Sequence, residues 1–519
     1  MADDQVVIVG AGIGGLASAI DLAAMGFGVT VIERAKHAGG KVREVTIGDA
    51  PIDCGPTVFT MRWVFDQLFA SANAALEDYL TLTPLETLAR HAWSECERFD
   101  LFADPARTAD AVAKFSGPEE GRRFLAFCAD ARTIYRTLKV PFLASSRPNP
   151  LTLAGRIGLH RYAAVLGIRP FETMWGALSK YFHDQRLRQL FGRYATYSGS
   201  SPFAAPATLM LIAHVEQDGV WTIGGGMQRL AEALEKLARA KGVSFRFGEE
   251  VRRIVIKNRI AGAVELTSGE RIEAGAIIVN ADASALADGA FGYDAARASR
   301  PLPAKDRSLA AVTWAMTAET QGFELQRHNV FFSHDYAAEF DEIFRQRQLP
   351  RSPTVYICAQ DRLNGAERTG PERLMMLVNA PPIGDQKHFT HEEIAACESQ
   401  VFSLLERCGL LVLAQQVSVT QPSDFHRMFP ATGGALYGRA SHGWTAAFRR
   451  PASKTNISGL YLAGGSTHPG AGVPMAALSG RLAAMRLVAD RASIRTSVRA
   501  GMSGGISTAS ATTDALRSR

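Results

Sequence analysis

Val7-Ile8-Val9-Gly10-Ala11-Gly12-Ile13-Gly14-Gly15 decides how this chain folds. An apolar run that ends in glycines and passes straight into Leu16-Ala17-Ser18-Ala19-Ile20 predicts a buried strand at 6–9, a tight turn, and a helix at 16–25. In Gly10-x-Gly12-x-x-Gly15 the first glycine makes the turn, the second lets a pyrophosphate approach the backbone, and the third lets helix and strand pack closely. The unpaired N–H groups at the helix start favour negative charge there. The next strand, 29–32, ends at Glu33, eighteen residues after Gly15, where a carboxylate can accept from ribose hydroxyls and disfavours a 2′-phosphate. Together these residues predict a dinucleotide site.

Working outward, Gly39-Gly40-Lys41-Val42-Arg43 and Asp53-Cys54-Gly55-Pro56-Thr57 follow closely. A second glycine turn, Thr222-Ile223-Gly224-Gly225-Gly226-Met227, leads into an amphipathic stretch at 230–240 and strands at 244–247, 251–256, 260–266 and 276–280. Strand-like pieces at 310–316, 354–359 and 374–380 surround a helix near 392–408, and the chain closes with strand 460–463, a Gly/Pro-rich turn and helix 476–490. The predicted class is α/β with an α+β insert. A discontinuous Rossmann-type cofactor domain (1–75, 221–295 and 445–492) holds a helical, basic, substrate- or membrane-facing region (76–220) and a substrate domain of sheet and helices (296–444). The Ser/Thr/Gly/Ala-rich tail 493–519 is expected to be flexible.

A chain of 519 residues, 47% of them apolar, can bury two large cores. Its six cysteines show no Cys-x-x-Cys spacing, so neither a disulfide framework nor a zinc knuckle is expected, and a cytoplasmic location fits. The apolar stretch 6–32 follows Asp3-Asp4 and contains Asp21, which argues against a signal peptide. Asp21 is expected to face solvent. The net charge of +6 is regional: 132–193 carries eleven Lys/Arg against two acids, interleaved with apolar residues. That mixture suits an anionic membrane surface, or else a solvated basic face over an ordinary core. No recognition motif accompanies it, so nucleic acid is not an expected partner. His388 and His391 lack a third ligand, so no metal is expected.

Gly459-Leu460-Tyr461-Leu462-Ala463-Gly464-Gly465-Ser466, followed by His468-Pro469-Gly470-Ala471-Gly472-Val473-Pro474-Met475, resembles the second flavin contact of the flavin oxidoreductases that include amine oxidases. The resemblance implies an amine-oxidase/GDI-like superfamily fold and FAD as cofactor. Within that superfamily Thr467 to Pro474 is similar to the carotenoid desaturases of the phytoene desaturase family. Phe429-Pro430-Ala431-Thr432-Gly433-Gly434-Ala435-Leu436-Tyr437-Gly438 and Ser441-His442-Gly443-Trp444 resemble the bacterial hydroxyneurosporene (1-hydroxycarotenoid) 3,4-desaturases, also called methoxyneurosporene dehydrogenases.

The cofactor contacts then expected are Gly10, Gly12, Gly14, Gly15, Glu33 and Arg34; Gly40 and Lys41; Gly55, Pro56 and Thr57; and Gly464, Gly465, Gly472, Val473, Pro474 and Met475. Val251 would meet the adenine through its backbone. The implied reaction removes hydride to flavin N5 and a proton from the neighbouring carbon of an acyclic hydroxylated carotenoid, inside a long apolar tunnel. No catalytic residue is assigned. Arg439, His442 and Trp444 either recognise the hydroxylated end group or form a polar loop. His468 holds its turn, or touches the cofactor or the substrate mouth, and Asp282 is expected to shape a loop near the cofactor rather than do acid–base work. The membrane would be a peripheral partner and the electron acceptor oxygen or a quinone. Phytoene or neurosporene desaturases, carotene isomerases and oxygenases of the same family, amine oxidases, and escorts of prenylated GTPases are the competing readings.

Overall fold

Val6, Val7 and Ile8 are almost wholly buried, because Gln5–Val9 lies at the centre of a five-stranded parallel sheet with both faces covered. In the computed structural model, which describes residues 4–158, 167–363 and 370–502, the sheet order is Ser244–Phe247, Gly28–Glu33, Gln5–Val9, Ala276–Val279 and Leu460–Leu462. Val7 pairs with Thr30 on one side and Ile277 on the other, so pieces from the start, middle and end of the chain share one sheet. Arg161 and the tail beyond 502 lie outside the described residues.

Helix Ile13–Ala24 covers one face of that sheet and is crossed by the C-terminal helix Val473–Met502, which continues past the end expected at 490. Ser18 sits at the crossing, its hydroxyl donating to the carbonyls of Gly14 at 2.9 Å and Gly480 at 3.0 Å. Asp21 does not face solvent. It is 2% exposed, accepts from Ser71 at 2.7 Å and pairs with Arg481 at 3.0 Å. The C-terminal helix covers the surface that a single amphipathic helix would have left wet, and it brings the compensating cation with it.

The second glycine turn also has an internal explanation. Gly224 to Gly226 lead from strand Val220–Ile223 into helix Gln228–Ala240, and the Asp53 carboxylate accepts from Met227 N at 2.8 Å and Gln228 N at 3.3 Å. A Cβ at Gly226 would stand 2.7 Å from that carboxylate. The first turn of the helix is thus satisfied by the chain itself.

The sheet of the region expected to take the substrate, named the substrate sheet for that expectation, has seven strands, ordered Leu410–Thr420, Ala310–Gly322, Glu372–Ala380, Val355–Ala359, His328–Phe331, Thr87–Ala92 and Arg98–Phe102. Its last two strands come from within 76–220, the stretch expected to be helical; helices dominate there only from Pro105 onward. Thr87–Ala92 runs parallel to His328–Phe331, a long-range pairing that local sequence pattern does not announce.

Candidate functional site

One cavity of about 1050 Å³ extends from the first glycine turn to the substrate sheet and the basic helical region. Gly10, with φ +100°, closes the turn, and Gly12 is the cap residue of helix Ile13–Ala24 with no side-chain cap hydrogen bond. The first helical N–H groups therefore meet the cavity without a protein anion, the reverse of the arrangement at Asp53. Asn280 lies along this turn, donating to Gly10 O at 3.3 Å, and a Cβ at Gly12 would come within 2.8 Å of its amide nitrogen. Gly14 also lines the cavity. Gly15 does not: its missing Cβ would stand 2.1 Å from Gly10 O, so it serves helix–strand packing.

Glu33 and Val251 line one end of the cavity. The Glu33 carboxylate is fixed by two backbone donors, Ala11 N at 2.7 Å and Ala35 N at 2.8 Å. Arg34 reaches Met428 O and comes within 3.9 Å of Glu250. Gly40 closes over the turn, a Cβ there falling 3.3 Å from Gly12 Cα.

Lys41 follows Gly40 and donates from Nζ to Leu436 O at 2.6 Å. Burial lowers its pKa, opposed by the nearby Asp282. Asp282 caps the short helix Ala283–Ala287 through Ser284 N at 3.0 Å and itself lines the cavity. Gly55 is forced to be glycine, since a Cβ would stand 2.0 Å from Lys41 O, and this close approach carries Pro56 and Thr57 onto the cavity wall.

From the opposite side, Gly464, Gly465 and the start of helix Val473–Met502, including Gly472, Val473, Pro474 and Met475, complete the wall. Arg450 holds this segment by donating to the carbonyls of Gly465 at 3.1 Å, Tyr437 at 3.0 Å and Arg439 at 2.7 Å. Burial pushes its pKa down to about 10. No motif marked Arg450 in the sequence. His468 lies behind the wall, its Nε2 donating to Phe142 O at 3.0 Å and Ser145 O at 2.9 Å, and burial lowers its pKa to about 4. It tethers the helical region to the flavin-like segment.

The three end-group candidates separate. Trp444 lines the cavity and is 43% exposed. Arg439 pairs with Asp306 at 2.7 Å, and His442 accepts from Ser201 N at 3.0 Å, neither of them on the cavity wall. Leu436 and Tyr437 from the same segment face the cavity instead. His388 bonds the Ser423 hydroxyl at 2.8 Å, and no group of metal-ligating side chains occurs among the described residues.

The uncapped helix start, the Glu33 carboxylate on the cavity wall, the glycine approaches and the buried lysine fit an FAD-sized dinucleotide. Beyond them the cavity becomes apolar, with Leu138, Phe142, Leu209, Ile212 and Phe448 on its walls.

The model of flavin-containing amine oxidoreductases matches residues 13–488. The chain is 52% identical over 516 residues to hydroxyneurosporene desaturase of Rubrivivax gelatinosus, covering 99% of this chain and 98% of the relative. It is 43% identical to the hydroxyneurosporene desaturase of Cereibacter sphaeroides, with 94% and 98% covered. Among solved structures, putrescine oxidase bound to putrescine superposes with a TM-score of 0.59 at 17% identity, covering 93% of this chain and 99% of that one. This structural likeness concerns the fold.

Proposed function

This chain belongs to the family of flavin-containing amine oxidoreductases, and we propose that within it the protein is an FAD-dependent desaturase that introduces the 3,4 double bond into a hydroxylated acyclic carotenoid. The observation that carries the reading is the single cavity, in which a dinucleotide cradle opens directly into an apolar chamber. The relatives at 52% and 43% identity are hydroxyneurosporene desaturases, which supports the substrate class.

FAD, when bound, supplies the two-electron acceptor for the departing hydride. The chain's own contribution is binding, positioning and exclusion of water. Glu33 is oriented to accept from ribose hydroxyls, Gly10, Gly12 and Gly14 admit the pyrophosphate, and Gly464 to Met475 with Lys41 give the far end a positive wall. The polyene delocalises the charge left as hydride departs, so the apolar wall mainly has to hold the reacting carbons in place.

The chain divides into a cofactor unit of 1–75, 221–295 and 445–492 around the regions 76–220 and 296–444 in this reading. We infer that the region 76–220 meets a membrane peripherally; no helix among the described residues is long and apolar enough to cross one, and the support for surface contact is a set of exposed apolar side chains beside basic ones. Val140, Leu151 and Phe171 are 67%, 85% and 75% exposed, and they neighbour Phe142, Leu153, Pro170 and Trp444 on the cavity wall. Lys139, Arg147 and Arg156 lie in the same stretch, a pairing of apolar and basic groups suited to anionic lipid. A quinone or oxygen would then reoxidise the flavin.

The test is anaerobic mixing of the FAD-reconstituted protein with liposomes carrying 1-hydroxyneurosporene. Flavin bleaching with a red shift of the carotenoid supports the reading. Bleaching by amines instead, or no flavin uptake at all, overturns it.

A further inference from the structure

Inside the apolar half of the cavity sits one polar group of side chains that the reaction described above does not use. Arg193, Tyr197 and Glu216 all line the cavity, although Arg193 belongs by sequence to the basic region expected to face outward. The Arg193 guanidinium lies between the rings of Tyr197 and Tyr356, at 5.2 and 5.3 Å from their centroids, and donates to the Tyr197 hydroxyl at 3.0 Å. Among the described residues no carboxylate lies within ion-pairing distance of it. Glu216 accepts from the Tyr194 hydroxyl at 2.8 Å, and Tyr197 also bears on its carboxyl. A guanidinium has five N–H donors, so this one reaches an apolar chamber with donors to spare, and an unused donor there is costly.

We propose that Arg193, Tyr197 and Glu216 form the receptor for the substrate's tertiary hydroxyl group, the guanidinium donating to its oxygen and the Glu216 carboxylate accepting its hydrogen. This rests on the carotenoid reading above. The chemistry is matched: an alcohol both donates and accepts, and the cluster offers both roles side by side. A carboxylate ligand would suit Arg193 but be repelled by Glu216, and an ether could accept from Arg193 but would bring Glu216 no hydrogen of its own.

The location is matched as well. Tyr356, which covers Arg193, bonds the Thr57 hydroxyl at 2.6 Å, and Thr57 belongs to the segment expected at the flavin edge. Carbons 3 and 4 are only two and three bonds from the hydroxylated carbon 1, so its receptor has to stand beside the flavin. A receptor at the far end of the cavity would present the wrong bonds to it.

The experiment measures binding of 1-hydroxyneurosporene and of neurosporene, each in phosphatidylcholine vesicles, to the FAD-loaded full chain by the anaerobic perturbation of the flavin spectrum. Arg193→Met is expected to weaken the hydroxylated carotenoid by roughly 10- to 100-fold and neurosporene by less than about twofold. Tyr197→Phe, which keeps the ring over the guanidinium, should cost about tenfold in the same selective way, and Arg193→Lys should recover part of the selectivity. Equal weakening of both carotenoids, or none, overturns the receptor. If Arg193→Met fails to load flavin, Tyr197→Phe decides. Selective binding without desaturation would retain the receptor and sink the reaction; desaturation with selectivity unchanged in every variant would do the opposite.

Discussion

Gly480 meets Gly14 with no room for a side chain between them: a Cβ at 480 would stand 2.0 Å from the Gly14 carbonyl oxygen. The C-terminal helix therefore presses directly on the first turn of the helix that opens onto the cavity. Gly480→Ala is expected to push the two helices apart, costing about 1–3 kcal/mol, and to lower flavin content along with stability. Thermal melting and the flavin-to-protein absorbance ratio check this together. A wild-type melt at wild-type flavin content would contradict the contact.

Gly12→Val is expected to abolish flavin retention while leaving the secondary structure in place. The added side chain would collide with the Asn280 amide, 2.8 Å from a Cβ, and fill the space through which a pyrophosphate reaches the backbone. Visible absorbance after dialysis against FAD, with circular dichroism as the control for folding, reads the outcome. A yellow protein would mean that the phosphates lie elsewhere.

His468 is buried and His442 half-buried, and desolvation brings each pKa from 6.5 to about 4, so both are neutral near pH 7. Above pH 6.5 neither state takes up protons at these sites, so they contribute no pH dependence. Between pH 6.5 and about 4 the unfolded chain binds protons that the folded chain refuses, so stability falls as the pH falls. His468→Asn is expected to flatten this slope by up to one proton, whatever it does to stability at pH 7. Urea unfolding across that window measures it, and a slope identical to wild type would refute the assignment.

Leu151→Ser with Phe171→Ser is expected to weaken flotation on phosphatidylglycerol-containing liposomes several-fold, because both side chains project beside the cavity lining. Neutralising arginines is a less clean probe. Arg147 also donates to the carbonyls of Phe448 and Arg450, and Arg156 to those of Pro141 and Ser146, so their loss disturbs the fold as well as the charge. Undiminished flotation of the double variant would leave the basic face without a lipid role.

The parts of this molecule that a sequence can disclose are those whose cause is local. The strand, turn and helix around Gly10 to Gly15 are legible because apolar alternation, glycine conformation and helix start coincide within one short window. Glu33 and the Gly464 to Met475 segment follow from spacing and resemblance. Asp21 was misjudged because the helix that buries it lies hundreds of residues away in the chain. Thr87–Ala92 pairs both with the nearby Arg98–Phe102 and with the remote His328–Phe331, and only the second pairing lies beyond the reach of local pattern. Arg193 reads as one more surface cation until Tyr197 and Tyr356 are seen on either side of it. Arg439 and His442 share a motif with Trp444, yet motif membership does not tell which way a side chain turns.

Asp53, seated at the start of helix Gln228–Ala240, fills the second glycine turn with a side chain of the chain itself. Two glycine-rich turns suggest a pair of phosphate sites, and with them an enzyme that could carry electrons from a pyridine nucleotide to its flavin. The second turn already houses a carboxyl group of the polypeptide, its pKa raised by burial and held back by the two backbone donors. The expected stoichiometry is one dinucleotide per chain, held at the first turn, with the second kept for joining the helix to the strand that carries Asp53.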